Sequence, residues 1–139
     1  MTATRSFADT NILVYSFDDR SPDKRDRARS LLNDESLTLI ISAQVIGEFY
    51  AVVTRKFKHA LSDDEAAEEV DRFLRLPVVP IDGELTRAAI ATSRASQISY
   101  WDALLIEAAA AANCGVVLTE DLDDGAVISG VRIENPFAK

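Results

Sequence analysis

Four acids, Asp9, Glu48, Asp102 and Asp121, each fall at or just past a point where the sequence pattern changes from one element to the next. Carboxylates held within a few ångströms of one another repel, and the repulsion raises some of their pKa values. A hard divalent cation removes that conflict, since Mg²⁺ takes oxygen ligands while keeping several waters. One or two such ions, about 3.5–4 Å apart when paired, can activate water and stabilise the leaving oxygen of a phosphodiester. Each acid also has a plain structural reading. Asp9 fits an Asx turn or helix N-cap, and Asp102, three residues after Ser99, could close a capping box. Glu48, four residues after Gln44 and seven before Arg55, could be a boundary glutamate, and Asp121 could be a solvated acid in Thr119-Glu120-Asp121-Leu122-Asp123-Asp124. The conjunction of the four, rather than any one, carries the chemical reading.

The rest of the composition leaves little else to work with. Cys114 is the one cysteine, which excludes an internal disulfide, a zinc ribbon and an iron–sulfur cluster. His59 is the one histidine, which argues against zinc hydrolases and Ser-His-Asp or Cys-His-Asn catalysis. It sits in Arg55-Lys56-Phe57-Lys58-His59, where a solvated helix end is the simpler reading. With 139 residues the chain is expected to be a single domain, 1–139. The balance of 15 Lys+Arg against 23 Asp+Glu, net −8, excludes a uniformly basic nucleic-acid surface but not a local basic groove. The first fifteen residues have Asp9 after Phe7-Ala8 in place of an uninterrupted apolar core, and Glu107 interrupts the apolar run 103–112. No membrane span is expected, and a reducing, cytoplasmic setting is.

The elements that must hold these acids alternate between strand and helix. Ser6 to Asp9 reads as a short strand passing through Asp9-Thr10-Asn11 into a helix start at Ile12 to Phe17. Ser21-Pro22-Asp23 opens a helix to about Asn33, and Leu37 to Ser42 is a continuous apolar run of the kind found in buried parallel strands. From Ser42 to about Lys58 a helix places Val45, Phe49 and Val52 on one face, widened by Ile46, Tyr50 and Val53. Ser62-Asp63-Asp64-Glu65 is a capping box opening a helix to about Arg75, which Pro77 ends. Val78 to Ile81 is strand-like, and Asp82-Gly83-Glu84 begins another helix. Ser99 begins the next, apolar all round from Ala103 to Ala112 and so expected to be buried, and Asn113-Cys114-Gly115 ends it. Val116 to Leu118 reads as a buried strand and Val131 to Ile133 as a final edge strand. Such alternation predicts a mostly parallel sheet with helices on both faces, and ligands bind at the carboxyl ends of strands in such sheets.

Four segments resemble those of PIN-domain proteins, and among them the VapC-type toxins of toxin–antitoxin pairs. They are Phe7-Ala8-Asp9-Thr10-Asn11-Ile12-Leu13-Val14-Tyr15, Ser42-Ala43-Gln44-Val45-Ile46-Gly47-Glu48-Phe49, Ser99-Tyr100-Trp101-Asp102-Ala103-Leu104-Leu105 and Leu118-Thr119-Glu120-Asp121-Leu122. They occur in order over nearly the full chain, from Phe7 to about Phe137. The resemblance implies a three-layer α/β/α sandwich around a short, mostly parallel sheet and a Mg²⁺- or Mn²⁺-dependent endoribonuclease. By matching position, Asp9, Glu48, Asp102 and Asp121 are the implied catalytic and metal-binding acids, with Thr10, Asn11 and Thr119 helping to fix the first and last of them. Many relatives follow the last acid with a charged residue and an aromatic, whereas this chain reads Leu122-Asp123-Asp124-Gly125. Asp123 or Asp124 would there be a fifth carboxylate or bind only water.

The same resemblance implies an RNA substrate, a homodimer and a small antitoxin whose tail covers the acidic site, often with a basic residue. Lys24, Arg25, Arg27 and Arg29, and likewise Arg55, Lys56 and Lys58, fit either an RNA-guiding rim or a solvated helix face. Tyr100 and Trp101 could stack a base, although core packing is the expectation beside a buried helix. Two other functions stay open on the sequence: a PIN nuclease of RNA maturation without an antitoxin, and a scaffold that binds RNA or a partner without cutting. A haloacid-dehalogenase-type phosphatase ranks lower, because it wants an aspartate where Asn11 stands.

Overall fold

In the computed structural model, which describes residues 4–55 and 61–138, the chain starts with β1 (Thr4–Ala8), α1 (Thr10–Tyr15) and α2 (Pro22–Leu32). Then come β2 (Leu37–Ser42), α3 (Ala43–Arg55), α4 (Asp63–Phe73), β3 (Val78–Val79) and α5 (Gly83–Ser96). α6 (Tyr100–Ala111), β4 (Val116–Leu118), β5 (Val127–Ile128) and β6 (Val131–Glu134) complete the order. The helices begin where local capping chemistry allows. Ser62 and Glu65 form the reciprocal capping box, and Asp82 and Ser99 accept the Leu85 and Asp102 amides. Ser21 makes no side-chain cap, so the start of α2 rests on Pro22 at the first helical position and on Asp23 in the first turn. Lys56, Lys58 and His59, to which the third helix was expected to run, lie outside the described residues.

The six strands lie in the order β3-β2-β1-β4-β6-β5. All pairs are parallel except β5 with β6. From β1 the chain steps outward to β2 and β3, then returns across both to place β4 on the opposite side of β1. Right-handed crossovers put helices of these two directions on opposite faces. Accordingly α1 packs on α2 and α3, and α3 on α4 and β2, while α5 packs on α6, which lies over β2, β4 and β6. The result is a helix–sheet–helix sandwich. Its core includes Phe7, Ile12, Ile40, Ile41, Phe49, Leu104, Ile106, Val117 and Ile133. Among the described residues no helix is long and apolar enough to cross a membrane.

Two strand boundaries depart from expectation. β3 stops at Val79 because Pro80 has no amide to donate to a ladder. The strand at Val131 is not an edge, since β6 lies between β4 and β5 and Val127–Ile128 closes the sheet. Ser129 and Gly130 join the last two strands with φ of 52° and 77°, the left-handed pair that a tight hairpin turn requires.

Candidate active site

Parallel pairing of β1 with β4 sets Ala8 opposite Leu118, so the next residues, Asp9 and Thr119, emerge side by side at the carboxyl edge. The Asp9 amide donates to Leu118 O at 3.1 Å, extending the ladder by one bond. Thr119 is fully buried, and its hydroxyl donates to Asp9 Oδ2 at 2.7 Å while accepting the Asp121 amide at 3.1 Å. The other Asp9 oxygen takes the Thr10 amide at 2.6 Å, so one carboxylate both ends β1 and caps α1. Thr10 in turn donates its hydroxyl to Glu48 Oε2 at 2.8 Å, and Gln44, one turn earlier on α3, donates to Oε1 at 2.7 Å. On the far side Asn11 Nδ2 donates to Asp121 Oδ2 at 3.2 Å.

A single network therefore links Asp9, Glu48 and Asp121 through Thr10, Asn11 and Thr119. Asp102 joins through its charge. It stands in the first turn of α6, its amide accepted by Ser99 Oγ at 3.0 Å, and its carboxylate raises the pKa of Asp121. The Asp9 carboxyl is pushed up to about 6, first by burial and then by the Asp121 and Glu48 charges, against the lowering pull of its bonds to Thr119 and Thr10. Asp121 is raised too, by burial ahead of Glu120 and Asp102. Desolvation and like charge acting together on a few acids at a sheet's carboxyl edge mark a place where cationic charge would be welcome.

A family model described as PIN domain matches residues 6–126, most of the chain. The chain belongs to the PIN domain family. Solved structures with the same fold include a sarcin–ricin loop cleaving VapC toxin from Mycobacterium tuberculosis, 18% identical with a TM-score of 0.67 over 91% of this chain and 98% of that one. A chain of a toxin–antitoxin complex from Klebsiella pneumoniae is 18% identical, with a TM-score of 0.71 over 95% and 98%. One from DNA-bound VapBC of Salmonella typhimurium is 22% identical, with a TM-score of 0.64 over 96% and 98%. No curated protein matches the chain in sequence.

The donors of this PIN domain suit a hydrated divalent ion. Among the described residues no three His, Cys, Asp or Glu side chains close on one point as an all-protein cage would. Mg²⁺ asks for less, commonly one or two carboxylates with waters completing the octahedron. Asn11 Oδ1 adds an oxygen that is buried without a hydrogen-bond partner, on the side chain that holds Asp121. Asp9, Asp121 and Asn11 thus offer hard oxygen donors, with Glu48 linked to Asp9 through Thr10 and Asp102 near enough for its charge to act on Asp121. Asp124 accepts the Asn135 amide at 2.9 Å, which ties the loop after β4 to the carboxyl-terminal segment, and Asp123 is exposed. A groove of about 540 Å³ lined by Arg5, Val78, Asp82, Leu85 and Ala112 includes none of these acids.

Glu120, to which the sequence assigns no role, borders the site. Glu120 accepts the Tyr15 hydroxyl and, at 2.9 Å, the Lys24 ammonium, which also lies 4.8 Å from the Tyr15 ring centroid. The adjacency of Glu120 to Asp121 was the available signal. The other α2 cations are engaged as well. Arg25 pairs with Asp19 and Asp26, Arg27 donates to Pro136 O and Arg29 to Ser16 O. Arg25 through Asp19, Arg27 and Arg29 thus tie α2 to neighbouring segments, while Arg27 and Arg29 stay exposed, as expected of a solvated face. Trp101 corrects another expectation. Core packing does not hold it, for it is 62% exposed, with the half-buried Tyr100 ring against its edge at 4.9 Å between centroids.

Proposed function

We propose that this PIN domain, a single unit over residues 1–139, is a metal-dependent endoribonuclease that cleaves RNA phosphodiester bonds as the toxin of a toxin–antitoxin pair in the cytoplasm. The observation that carries this reading is the hydrogen-bonded network that gathers Asp9, Glu48 and Asp121 at the sheet's carboxyl edge, where burial pushes the Asp9 carboxyl up to about 6. Asp9, Glu48, Asp102 and Asp121 are the catalytic set and the holders of Mg²⁺ or Mn²⁺. Such an ion supplies a water acidic enough to attack at neutral pH and positive charge for the leaving oxygen. Thr119 and Thr10 aim the two Asp9 oxygens, Asn11 holds Asp121, and Gln44 with Thr10 fixes both oxygens of Glu48. Near neutral pH the Asp9 carboxyl is mostly ionised and so able to bind an ion or accept a proton from a bound water. Asp123 and Asp124 are outer acids, with Asp123 the freer to hold waters.

The fold shared with chains of toxin–antitoxin complexes from Klebsiella pneumoniae and Salmonella typhimurium supports a small antitoxin as partner, and the homodimer that the sequence resemblance implies is taken as the working form. A net charge of −8 and an acidic site favour a basic antitoxin tail over the acids. Induced expression of the wild type, Asp9→Asn and Asp102→Asn, with sequencing of cellular RNA 5′ ends, tests the reading. New ends are expected with the wild type alone. Identical end profiles from folded, metal-supplied proteins would replace the nuclease with a non-cutting scaffold.

A further inference from the structure

Resting on the nuclease reading, we propose that Trp101, backed by Tyr100, is the base-stacking contact of this site and grips an unpaired nucleotide of the RNA beside the acids. An indole 62% exposed on the first turn of a helix that buries most of its length is kept out of the core at a cost. Tyr100 meets it edge to face, with an interplanar angle of 78°, which limits the indole's freedom before any ligand arrives. The next residue is Asp102, whose amide Ser99 Oγ accepts at 3.0 Å, so the ring shares the first turn of α6 with an acid of the proposed site.

The protein's charge favours a contact of this kind. The protein carries net charge −8, and on α2 Lys24 and Arg25 are paired with Glu120, Asp19 and Asp26, while Arg27 and Arg29 each donate to a backbone carbonyl. A contact that does not depend on charge suits an acidic protein, and stacking on an aromatic face is the contact every base can make. A protein partner fits the ring less well. The hydrogen bond from Thr92 to Glu107, at 2.8 Å, sets α5 antiparallel to α6 and puts exposed Ile90 toward the other end of that hairpin. Exposed Tyr50 and Leu74 belong to the α3–α4 layer on the opposite face. Exposed Val127 lies on β5, the edge strand, so among the described residues Trp101 is the one exposed large hydrophobic of α6.

Trp101 is the chain's one tryptophan, so its emission reports this position alone. The test titrates Asp9→Asn protein with short single-stranded RNA homopolymers of A, C and U, and measures cleavage of cellular RNA by wild type, Trp101→Ala and Trp101→Phe. Saturable quenching is expected, with KM raised about tenfold in Trp101→Ala, largely recovered in Trp101→Phe, and kcat little changed. Emission indifferent to RNA, together with unchanged KM in folded Trp101→Ala, would overturn the contact. So would a blue shift that follows protein concentration instead of RNA, which would mean that a second copy covers the ring. Cleavage by the wild type with no effect of Trp101→Ala removes the stacking contact and leaves the nuclease standing. Quenching without any cleavage supports the base contact and removes the nuclease.

Discussion

Asp9 is the residue on which the chemistry and the stability of this PIN domain meet. Its carboxyl rises from an ordinary 3.8 to about 6, chiefly through burial. A folded-state pKa above the unfolded one means that the stabilising contribution is complete below about 3.8 and is lost as pH rises through about 6. Above that window the folded protein carries an ionised Asp9 that the unfolded chain would hold more easily. Asp9→Asn is therefore expected to raise the metal-free unfolding free energy at pH 8 by at most about 3 kcal/mol, a gain that fades by pH 4. Urea melts of both proteins at the two pH values measure it, and an equal effect at both would contradict the assignment. Asp9 was legible in the sequence as an acid where a strand hands over to a helix. Its partner Thr119, more than a hundred residues on, could be matched only by resemblance, because no local rule ties a threonine after one strand to an aspartate after another.

At the scale of elements, the helix starts were the most legible features. A cap is a bond between neighbours in sequence, and Ser62, Asp82 and Ser99 each make theirs. Ser99 bears on the site, since it fixes the turn that carries both Trp101 and Asp102. Ser99→Ala is expected to lower stability by about 1 kcal/mol and to reduce cleavage further by loosening Asp102, with Ser99→Thr restoring both. Chemical denaturation read beside the cleavage rate checks this, and a stability loss with unaltered cleavage would free Asp102 from dependence on the cap. β5 was missed because two residues carry too little pattern to stand out, although Ser129-Gly130 between Ile128 and Val131 was a turn signal. Trp101 was misjudged for a related reason. An apolar helix sequence says that most of its faces are covered, and not which end of the helix projects beyond the layer above it.

The whole molecule depends on Phe49, which is fully buried on α3, tilted against Phe17 and edge-on to Phe73 of α4. Phe49→Ala is expected to cost about 3–5 kcal/mol and to weaken the α1–α3–α4 layer as a unit. A thermal melt and hydrogen exchange across that layer would show it, and a loss below 1 kcal/mol would mean that the layer repacks. The sequence by itself determined all the elements but β5, their alternation and the acids at their ends, since propensity, capping and periodicity act over a few residues. Tertiary structure alone decided the strand order. It put β4 beside β1 on the side away from β2, so that Asp9 and Thr119 meet where the chain reverses its direction across the sheet. It also decided which partners the α2 cations find, and that Trp101 turns out. Those outcomes rest on contacts between residues far apart in the chain, which leave no local trace in the sequence.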